Sequence, residues 1–347
     1  MTGATGFLGL HLLRELLSRH SRITVLARAE ESAVRGRIDR FLRLTGTESR
    51  VRVVRADITR PRLGLPEPEF TDLAGGLDVL WHCAADISPG ADLEQLRRVN
   101  VTGVRHVLEL AAAAPRRPAV RHVSTIAVAG ARRHGLIGED WLDAGRGFEN
   151  SYERTKYEAE VLLRQWAAET QLPVTVFRPA GLVSDLPLGP DLPRHPLSAL
   201  AELIEGPLSN CAPVAPPVVR VPGDGTAVLN LLQAEHAANT MVRLAGHQSA
   251  GVDTYHVVHP RDTLVSDLLT AFNRVLPVRF QLVPRAPAHP SPLETVVRDH
   301  ASLLAYTRHH RRFDDARVRA LLGPATAPPI GLGYLEASIR GWQLATP

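Results

Sequence analysis

The stretch Thr2-Gly3-Ala4-Thr5-Gly6-Phe7-Leu8-Gly9 decides the fold, because its glycines recur at every third position and an amphipathic segment, His11 to Ser18, follows directly. Glycine allows tight backbone turns and a close approach of the main chain to a ligand. A helix that begins at such a loop points its free amides and the positive end of its dipole at negative charge. The stretch therefore predicts a loop that binds the pyrophosphate of a dinucleotide.

Strand and helix patterns alternate through the first half of the chain. The predicted strands are Ile23–Leu26, Val51–Val54, Leu77–His82, Val120–Val123 and Val174–Phe177. The predicted helices are Leu8–Ser18, Ala33–Leu44, Leu96–Ala113 and Tyr152–Thr170. This alternation predicts an α/β fold of the Rossmann type, a doubly wound parallel sheet with helices on both faces.

The alternation loosens after Pro179, where the composition shifts. We expect a cofactor domain over residues 1–184 and a smaller substrate lobe over residues 185–347, with some segments returning to the sheet. The predicted elements of the lobe are a helix at Leu197–Ile204, a strand at His256–Pro260, helices at Leu264–Val275 and Ala316–Leu322, and a proline-rich irregular connection at 283–292.

The start of the sequence is unusual for such a fold, because only Met1 and Thr2 precede Gly3, where a central strand is expected. Three explanations stay open. The natural protein starts upstream, the sequence is a fragment of a longer chain, or the sheet lacks its first strand. We expect a start that is assigned too late.

The composition is that of an ordinary soluble protein, with 44% hydrophobic and 22% charged residues. The net charge of +4 is too thin and dispersed to argue for binding of nucleic acid. The sequence lacks an apolar stretch of the ~20 residues that a membrane span needs, and it lacks a signal peptide. We therefore expect a cytoplasmic protein.

The cysteines and one basic cluster receive plain structural interpretations. Cys83 and Cys211 form neither a disulfide framework nor a metal-ligand spacing, so no metal is expected, and Cys83 is predicted to belong to the core. The cluster His309-His310-Arg311-Arg312 is predicted to be a solvated face rather than an anion site.

A tyrosine and a lysine indicate the chemistry. Tyr152 and Lys156 are four residues apart and share one face of the predicted helix. Hydride delivery to a carbonyl builds negative charge on its oxygen, so a proton donor must lie nearby. A free tyrosine titrates at about 10, and an ammonium group one turn away should lower the pKa. Tyr152 is therefore the predicted acid and Lys156 the group that tunes it.

These motifs, taken in order, resemble those of the extended short-chain dehydrogenase/reductase family over about residues 1 to 185. The matching elements are Thr2 to Gly9, Asp57-Ile58, His82-Cys83-Ala84-Ala85, Val99-Asn100-Val101-Thr102-Gly103, Tyr152-x-x-x-Lys156 and Arg178-Pro179. The resemblance implies that a nicotinamide cofactor contacts Gly3, Thr5, Gly6, Phe7, Leu8, Gly9, Asp57, Ile58, Ala84, Ala85, Asn100, Ser124, Tyr152, Lys156 and Pro179.

Two of these implied contacts have an alternative interpretation. In the family, the residue at Asp57 contacts the adenine and Ile58 packs beside it, but an aspartate at this place also suits the capping of a loop. The residue at Asn100 shapes the site and holds a water in a proton relay. Asn100 also suits the N-cap of a helix.

The choice between NADP and NAD depends on the residue after the strand Ile23–Leu26. An acidic residue there binds the ribose 2′-hydroxyl of NAD, whereas an arginine accommodates the 2′-phosphate of NADP. Arg28 occupies this place, and Arg37 follows in the next helix, so NADPH is the expected cofactor. Glu30 and Glu31 lie close enough to leave NAD open, and Arg37 also suits a solvated helix face.

The third catalytic group of the family is a hydroxyl that hydrogen-bonds the substrate carbonyl. Ser124 and Thr125 both end the strand Val120–Val123. Counting back from Gly130 selects Thr125 and keeps Ser124 as the second choice.

The stretch Ser124 to Gly130 is similar to the thioester-reductase branch of the family, which includes fatty acyl-CoA reductases and the reductase domains that release products from carrier proteins. Arg312-Phe313-Asp314 is similar to a short element of these acyl reductases. The chain departs from the branch at Ala180, where glycine is usual, and at Leu231–Glu235, which replaces a Pro-Val-Asp element.

The resemblance implies reduction of an acyl thioester, on coenzyme A or a carrier protein, to an aldehyde or alcohol by NADPH. The 185–217 region would accept the acyl chain or be only the core and loops of the lobe. Two alternatives stay open: an oxidoreductase, epimerase or dehydratase acting on a sterol-like or nucleotide-sugar substrate, and a non-catalytic sensor of NADPH. The family's dimer would use the helices Leu96–Ala113 and Tyr152–Thr170.

Overall fold

Parallel strands and helices alternate in the computed structural model, which describes all residues except 89, 188, 190, 210–214, 248–250, 301, 325 and 342–347. Cys211 therefore lies outside the described residues. The strands are β1 Ile23–Ala27, β2 Val51–Arg55, β3 Val79–His82, β4 Ala119–Val123, β5 His134–Ile137, β6 Val174–Pro179, β7 Gly181–Val183, β8 Val218–Pro222, β9 Val228–Leu229, β10 Leu231–Gln233, β11 Val252–Val257, β12 Thr263–Leu264, β13 Arg279–Val283 and β14 His310–Phe313. The helices are α1 Phe7–Leu17, α2 Glu31–Leu44, α3 Glu67–Gly75, α4 Leu93–Arg97, α5 Gly103–Ala112, α6 Ser151–Thr170, α7 Pro196–Ser209, α8 Ala234–Leu244, α9 Val265–Val275, α10 Pro292–His300, α11 Ala316–Leu322 and α12 Leu332–Arg340.

The main sheet is parallel, and two residues complete its centre. β2 pairs with β1, and β3, β4, β6 and β11 form a second run of neighbours. Thr2 bridges both runs, because it pairs with Leu26 of β1 and with His82 of β3. The Thr2 amide donates to the Trp81 carbonyl at 2.9 Å, and the Leu26 amide donates to the Met1 carbonyl at 2.8 Å. The expectation of an absent first strand is corrected: Met1 and Thr2 occupy its place.

The glycine loop follows this short central element without space for side chains. Gly3 has a φ of +72°, and an added Cβ there would lie 2.5 Å from the Ala84 amide nitrogen. An added Cβ at Gly9 would overlap the Gly3 carbonyl oxygen. Both glycines are therefore needed for the chain to pass between the end of β3 and the start of α1.

The second half of the chain builds a separate core and also returns to the sheet. β11 pairs with β6 at the sheet edge, and α8 packs against α1. The lobe core gathers apolar residues of α7, α9 and α12 with those of the parallel pair β8 and β13, among them Phe272 and Phe280. None of the helices in the described residues is long and apolar enough to cross a membrane.

The predicted helix Leu96–Ala113 is interrupted. Its first part, α4, begins at Leu93 and is capped by Asp92, whose carboxylate accepts from the Gln95 amide at 2.7 Å. A π turn at Arg98–Thr102 then joins α4 to α5. Asn100 lies inside this turn, so its interpretation as an N-cap is wrong.

A pair of glycine substitutions tests the constraint on the loop. Gly3→Ala should lower the free energy of unfolding by more than the ~1–2 kcal/mol cost of a left-handed backbone, because the new Cβ also meets the Ala84 backbone. Gly36→Ala, inside α2 with open space around the new Cβ, should raise it by about 0.5–1 kcal/mol. Urea denaturation measures both changes, and a Gly3→Ala protein as stable as the wild type would contradict this constraint.

Candidate active site

A cleft of about 920 Å³ lies at the carboxyl ends of the parallel strands and continues into the lobe. Ligands of such folds bind at this end of the sheet. The predicted site residues that line the cleft are Gly3, Gly6, Phe7, Leu8, Gly9, Ala85, Ser124, Thr125, Tyr152, Lys156 and Pro179. The predicted residues that lie outside its lining are Thr5, Arg28, Arg37, Asp57, Ile58, Ala84 and Asn100.

The start of α1 is arranged to receive an anion. Gly6 is the N-cap and offers no side chain to the first amides of the helix, and the first turn carries no acidic residue. These amides therefore keep their hydrogen-bonding capacity and the positive end of the helix dipole for a ligand. Together with the cradle at Gly3 and Gly9, which a Cβ would fill, this loop fits the pyrophosphate of a dinucleotide.

The loop after β2 holds an ionised carboxylate. Asp57 accepts hydrogen bonds from the Thr59 amide at 2.9 Å and the Thr59 hydroxyl at 2.7 Å. Burial raises the pKa of Asp57, but these hydrogen bonds and the charges of Arg28 and Arg60 outweigh it, and the net pKa is lowered. Asp57 therefore caps its loop, as one of its two interpretations expected.

The arginines near β1 and α2 differ in their surroundings. Arg28 is exposed directly after β1, and Arg37 is exposed on α2. Arg35 is engaged, since it donates to Glu31 at 2.7 Å and to the Val51 carbonyl at 3.1 Å. Glu30 and Arg55 form an ion pair at 2.6 Å.

Three side chains of the predicted catalytic set meet in the cleft. Tyr152 and Lys156 lie on α6, whose N-cap is Asn150. The Tyr152 and Thr125 side chains are hydrogen-bonded to each other. The Lys156 ammonium donates to the Val123 carbonyl at 2.9 Å. The hydroxyls of Thr125 and Tyr152 therefore lie together, beside a buried ammonium group.

The titration of Tyr152 differs from the expectation. Burial raises the pKa of Tyr152 above its ordinary value, with the hydrogen bond from Thr125 opposing the shift. The predicted lowering by Lys156 is wrong for this structure, in which the ammonium group donates to a backbone carbonyl instead. Burial also lowers the pKa of Lys156 to about 8. Tyr152 is consequently a neutral phenol near neutral pH, which is the protonation state of a proton donor.

The two strand-end hydroxyls are distinguished by their partners. Ser124 is buried, and its hydroxyl donates to Glu160 at 2.5 Å. Thr125 is half-buried, accepts from the Ala127 amide at 3.1 Å and contacts Tyr152. This arrangement favours Thr125 as the hydroxyl that meets the substrate.

Asn100 joins the loop after β3 to α6. Its amide group donates to the Asp86 carbonyl at 2.9 Å and to the Thr155 hydroxyl at 3.0 Å, and its oxygen accepts from the Asp86 amide at 2.7 Å. Thr155 lies between Tyr152 and Lys156 in the sequence. Asn100 therefore holds the wall of the cleft against the catalytic helix.

The basic cluster near the end of the chain is not a solvated face. His309 and Arg311 are buried, and β14 pairs with β5. Arg311 donates to the Gly130 carbonyl at 2.5 Å and lies 4.0 Å from Glu153. It therefore links the turn after Thr125 to the start of α6. The alternation of buried Arg311 with exposed Arg312 is the signal that could have indicated a strand.

The lobe half of the cleft is largely apolar. Its apolar lining includes Val219, Val221, Leu229, Leu231, Val297 and Leu304. Arg220 reaches the same region, but it is paired with Glu294 at 2.6 and 2.8 Å. Among the described residues of the 185–217 region, only Arg194 and Pro196 line the cleft, so this region is not its principal wall.

Cys83 lines the nucleotide half of the cleft. It is half-buried rather than fully inside the core. Burial raises the pKa of its thiol to about 12, so the thiolate is scarce and the side chain is chemically inert near neutral pH.

The parallel sheet, the glycine loop and the Tyr152–Lys156 pair in one cleft define an oxidoreductase of the extended short-chain dehydrogenase/reductase type that uses a nicotinamide cofactor. Residues 1–241 match the family model described as male sterility protein, and the chain belongs to this family.

Two peptide synthases contain regions that are similar to this chain in sequence. The isonitrile lipopeptide synthase of Streptomyces coeruleorubidus is 37% identical over 189 residues, which are 51% of this chain and 12% of that protein. A linear gramicidin synthase of Brevibacillus parabrevis is 28% identical over 287 residues, 78% of this chain and 5% of that protein. The chain thus spans only a small part of these relatives.

Solved structures show the same architecture. The terminal R domain from the myxalamid PKS-NRPS biosynthetic pathway superposes with a TM-score of 0.76 at 25% identity, covering 98% of this chain and 89% of that one. UDP-glucose 4-epimerase from Bifidobacterium longum, in complex with NAD+ and UDP, has a TM-score of 0.72 at 18% identity and covers 99% and 96%. The second likeness concerns the fold alone.

Replacing the buried arginine tests its structural role. Arg311→Met should lower the free energy of unfolding by about 3–5 kcal/mol, because it leaves the Glu153 carboxylate buried without its neighbouring cation. Arg312→Met, at an exposed neighbouring position, should change it by less than about 0.5 kcal/mol. Equal stabilities of the two variants in chemical denaturation would show that Arg311 braces nothing.

Proposed function

We propose that the protein is an NADPH-dependent reductase of an acyl thioester, bound to coenzyme A or a carrier protein, that yields an aldehyde or alcohol. The observation that carries the proposal is the hydroxyl pair of Thr125 and Tyr152, next to Lys156, in a cleft that continues into an apolar pocket. The likeness to the myxalamid terminal R domain, at 25% identity over nearly the whole chain, supports it. So does the likeness to peptide synthases.

The residues of the cleft suit carbonyl reduction. The bound cofactor would supply the hydride that the thioester carbonyl carbon accepts. Thr125 and Tyr152 would donate hydrogen bonds to the carbonyl oxygen, where negative charge develops, and Tyr152 would give up its proton. Lys156 would stabilise the phenolate that remains. Collapse of the resulting hemithioacetal would expel the thiol and leave the aldehyde.

The lobe favours an acyl chain over a nucleotide sugar. A nucleotide sugar carries a diphosphate and needs cations that are free to bind it. Arg220, which reaches the lobe half of the cleft, is neutralised by Glu294. The surrounding valine and leucine side chains offer an apolar surface instead. A sterol-like substrate meets the same surface and is distinguished by assay.

The surroundings of Arg28 support NADPH as the cofactor. Arg28 is exposed at the end of β1, where a 2′-phosphate would lie. Glu30, the acidic residue that could bind a ribose hydroxyl of NAD, is paired with Arg55. In this proposal Asp57 and Ile58 contact the adenine, and the glycine loop with Thr5 holds the pyrophosphate.

The role of Arg28 can be measured by cofactor competition. Arg28→Ala should raise the KM for NADPH about tenfold and leave the KM for NADH unchanged, since one charge-assisted contact is lost. Arg35→Ala is the control, because that guanidinium is already engaged with Glu31. Equal effects of Arg28→Ala on both cofactors would refute the assignment of the 2′-phosphate.

Substitution of the proposed acid tests catalysis itself. NADPH oxidation by a long-chain acyl-CoA, a carrier-bound acyl group and the matched aldehyde should fall at least ~10²-fold in Tyr152→Phe. Tyr157→Phe is the matched control, because Tyr157 lies on the same helix against Phe148 and outside the cleft lining.

Each alternative predicts a different pattern in this assay. Oxidation with the aldehyde alone would make the protein a carbonyl reductase. Tight NADPH binding by both tyrosine variants, with no turnover of thioesters, aldehydes, sterols or nucleotide sugars by the wild type, would identify a sensor.

A further inference from the structure

A network of buried charged side chains lies directly behind the catalytic residues. Glu160 is on α6, one helical turn beyond Lys156, so both side chains share a face of the helix. Both residues are almost entirely excluded from solvent. One Glu160 oxygen accepts from the Ser124 hydroxyl at 2.5 Å and from Arg178 Nε at 2.9 Å. The other oxygen accepts from Arg178 Nη2 at 2.7 Å.

This carboxylate joins the three segments that form the catalytic wall. Ser124 stands between Val123, whose carbonyl receives the Lys156 ammonium, and Thr125. Arg178 ends β6 immediately before Pro179, which lines the cleft. A single side chain on α6 therefore ties the ends of β4 and β6 to the helix that carries the tyrosine and the lysine.

The charges around Lys156 leave one anion to balance it. The titratable groups that face Lys156 are Glu160, Cys83, His82 and His122. The thiol is neutral, and burial lowers the pKa of both histidines, which are therefore uncharged. The groups around Glu160 itself are Ser124, Arg178 and Arg164. A buried ammonium group without an opposing charge is strongly disfavoured.

We propose that Glu160 is a positioning residue of the catalytic set, whose buried carboxylate supplies the negative charge opposite the Lys156 ammonium and anchors Ser124, and with it Thr125. The proposal rests on the proposed function only in assigning Thr125, Tyr152 and Lys156 to catalysis. It gives Ser124 a role as an anchor, in place of its role as a second choice for the catalytic hydroxyl.

The direction of the expected effect follows from charge. Burial lowers the pKa of Lys156 to about 8, and the Glu160 carboxylate opposes that shift. Removing the carboxylate should lower the pKa further, because Arg178 and Arg164 then face the ammonium without their anion. A lysine is charged below its pKa, so the variant should lose the ammonium form at a lower pH than the wild type.

The sequence provides a direct way to observe this titration, because Lys156 is its single lysine. Protein that carries the 1–347 sequence with a lysine-free tag, grown with ¹³C-labelled lysine, should give one lysine side-chain NMR signal. The midpoint of its pH titration reports Lys156 without any substrate or cofactor.

The comparison uses Glu160→Gln and a matched control. The midpoint, near 8 in the wild type, should fall by about one to three pH units in Glu160→Gln, as expected for loss of an opposite charge within contact range. It should not move in Glu158→Gln, because Glu158 pairs with Arg97 and Arg154. Equal midpoints in the wild type and Glu160→Gln overturn the counter-charge.

A second variant tests the anchoring role and keeps the ion pair that stabilises the fold. Ser124→Ala leaves Glu160 bonded to Arg178, so the lysine midpoint should stay at its wild-type value. The kcat of NADPH-dependent reduction should fall about tenfold while the KM for NADPH is unchanged. An unchanged kcat overturns the anchor. If the wild type reduces no thioester, the proposed function fails, but the lysine titration still decides whether Glu160 is the counter-charge.

Discussion

The structure depends on enclosing a positive charge at Lys156 in the interior, between a parallel sheet and a helix. An ammonium group in such a place needs acceptors and a nearby anion, and the protein provides both within one turn of α6. The Val123 carbonyl accepts its hydrogen bond, and Glu160 lies behind it. The ends of β4 and β6 must therefore meet α6 closely, and this meeting forms one wall of the cleft.

The opposite wall is set by a steric constraint. The glycine loop enters α1 where a Cβ at Gly3 or Gly9 would meet backbone atoms. Asn100 holds the adjoining segment after β3 against α6 through hydrogen bonds to Asp86 and Thr155. The cleft between these walls fits a dinucleotide at one end, and its other end opens into the apolar lobe.

Local signals in the sequence predicted the elements that depend on neighbours in the chain. The spacing of the glycines predicted the loop, and the i,i+4 relation predicted that Tyr152 and Lys156 share a helix face. Features that depend on distant contacts were missed. Arg311 is buried only because β14 pairs with β5, more than 170 residues away in the sequence. The raised pKa of Tyr152 reflects burial, which the spacing to Lys156 does not reveal. Met1 and Thr2 form the central element only through pairing with β1 and β3.

The proposed chemistry is the passage of hydride from NADPH to the carbonyl carbon of a thioester in this cleft. It can be followed by the mass of the product formed from an acyl thioester and NADPH deuterated at the transferred position. We predict an aldehyde or alcohol with deuterium on the former carbonyl carbon, together with a stoichiometric free thiol. An aldehyde or alcohol without deuterium, or free thiol released alongside unreduced carboxylic acid, would contradict hydride transfer to the thioester.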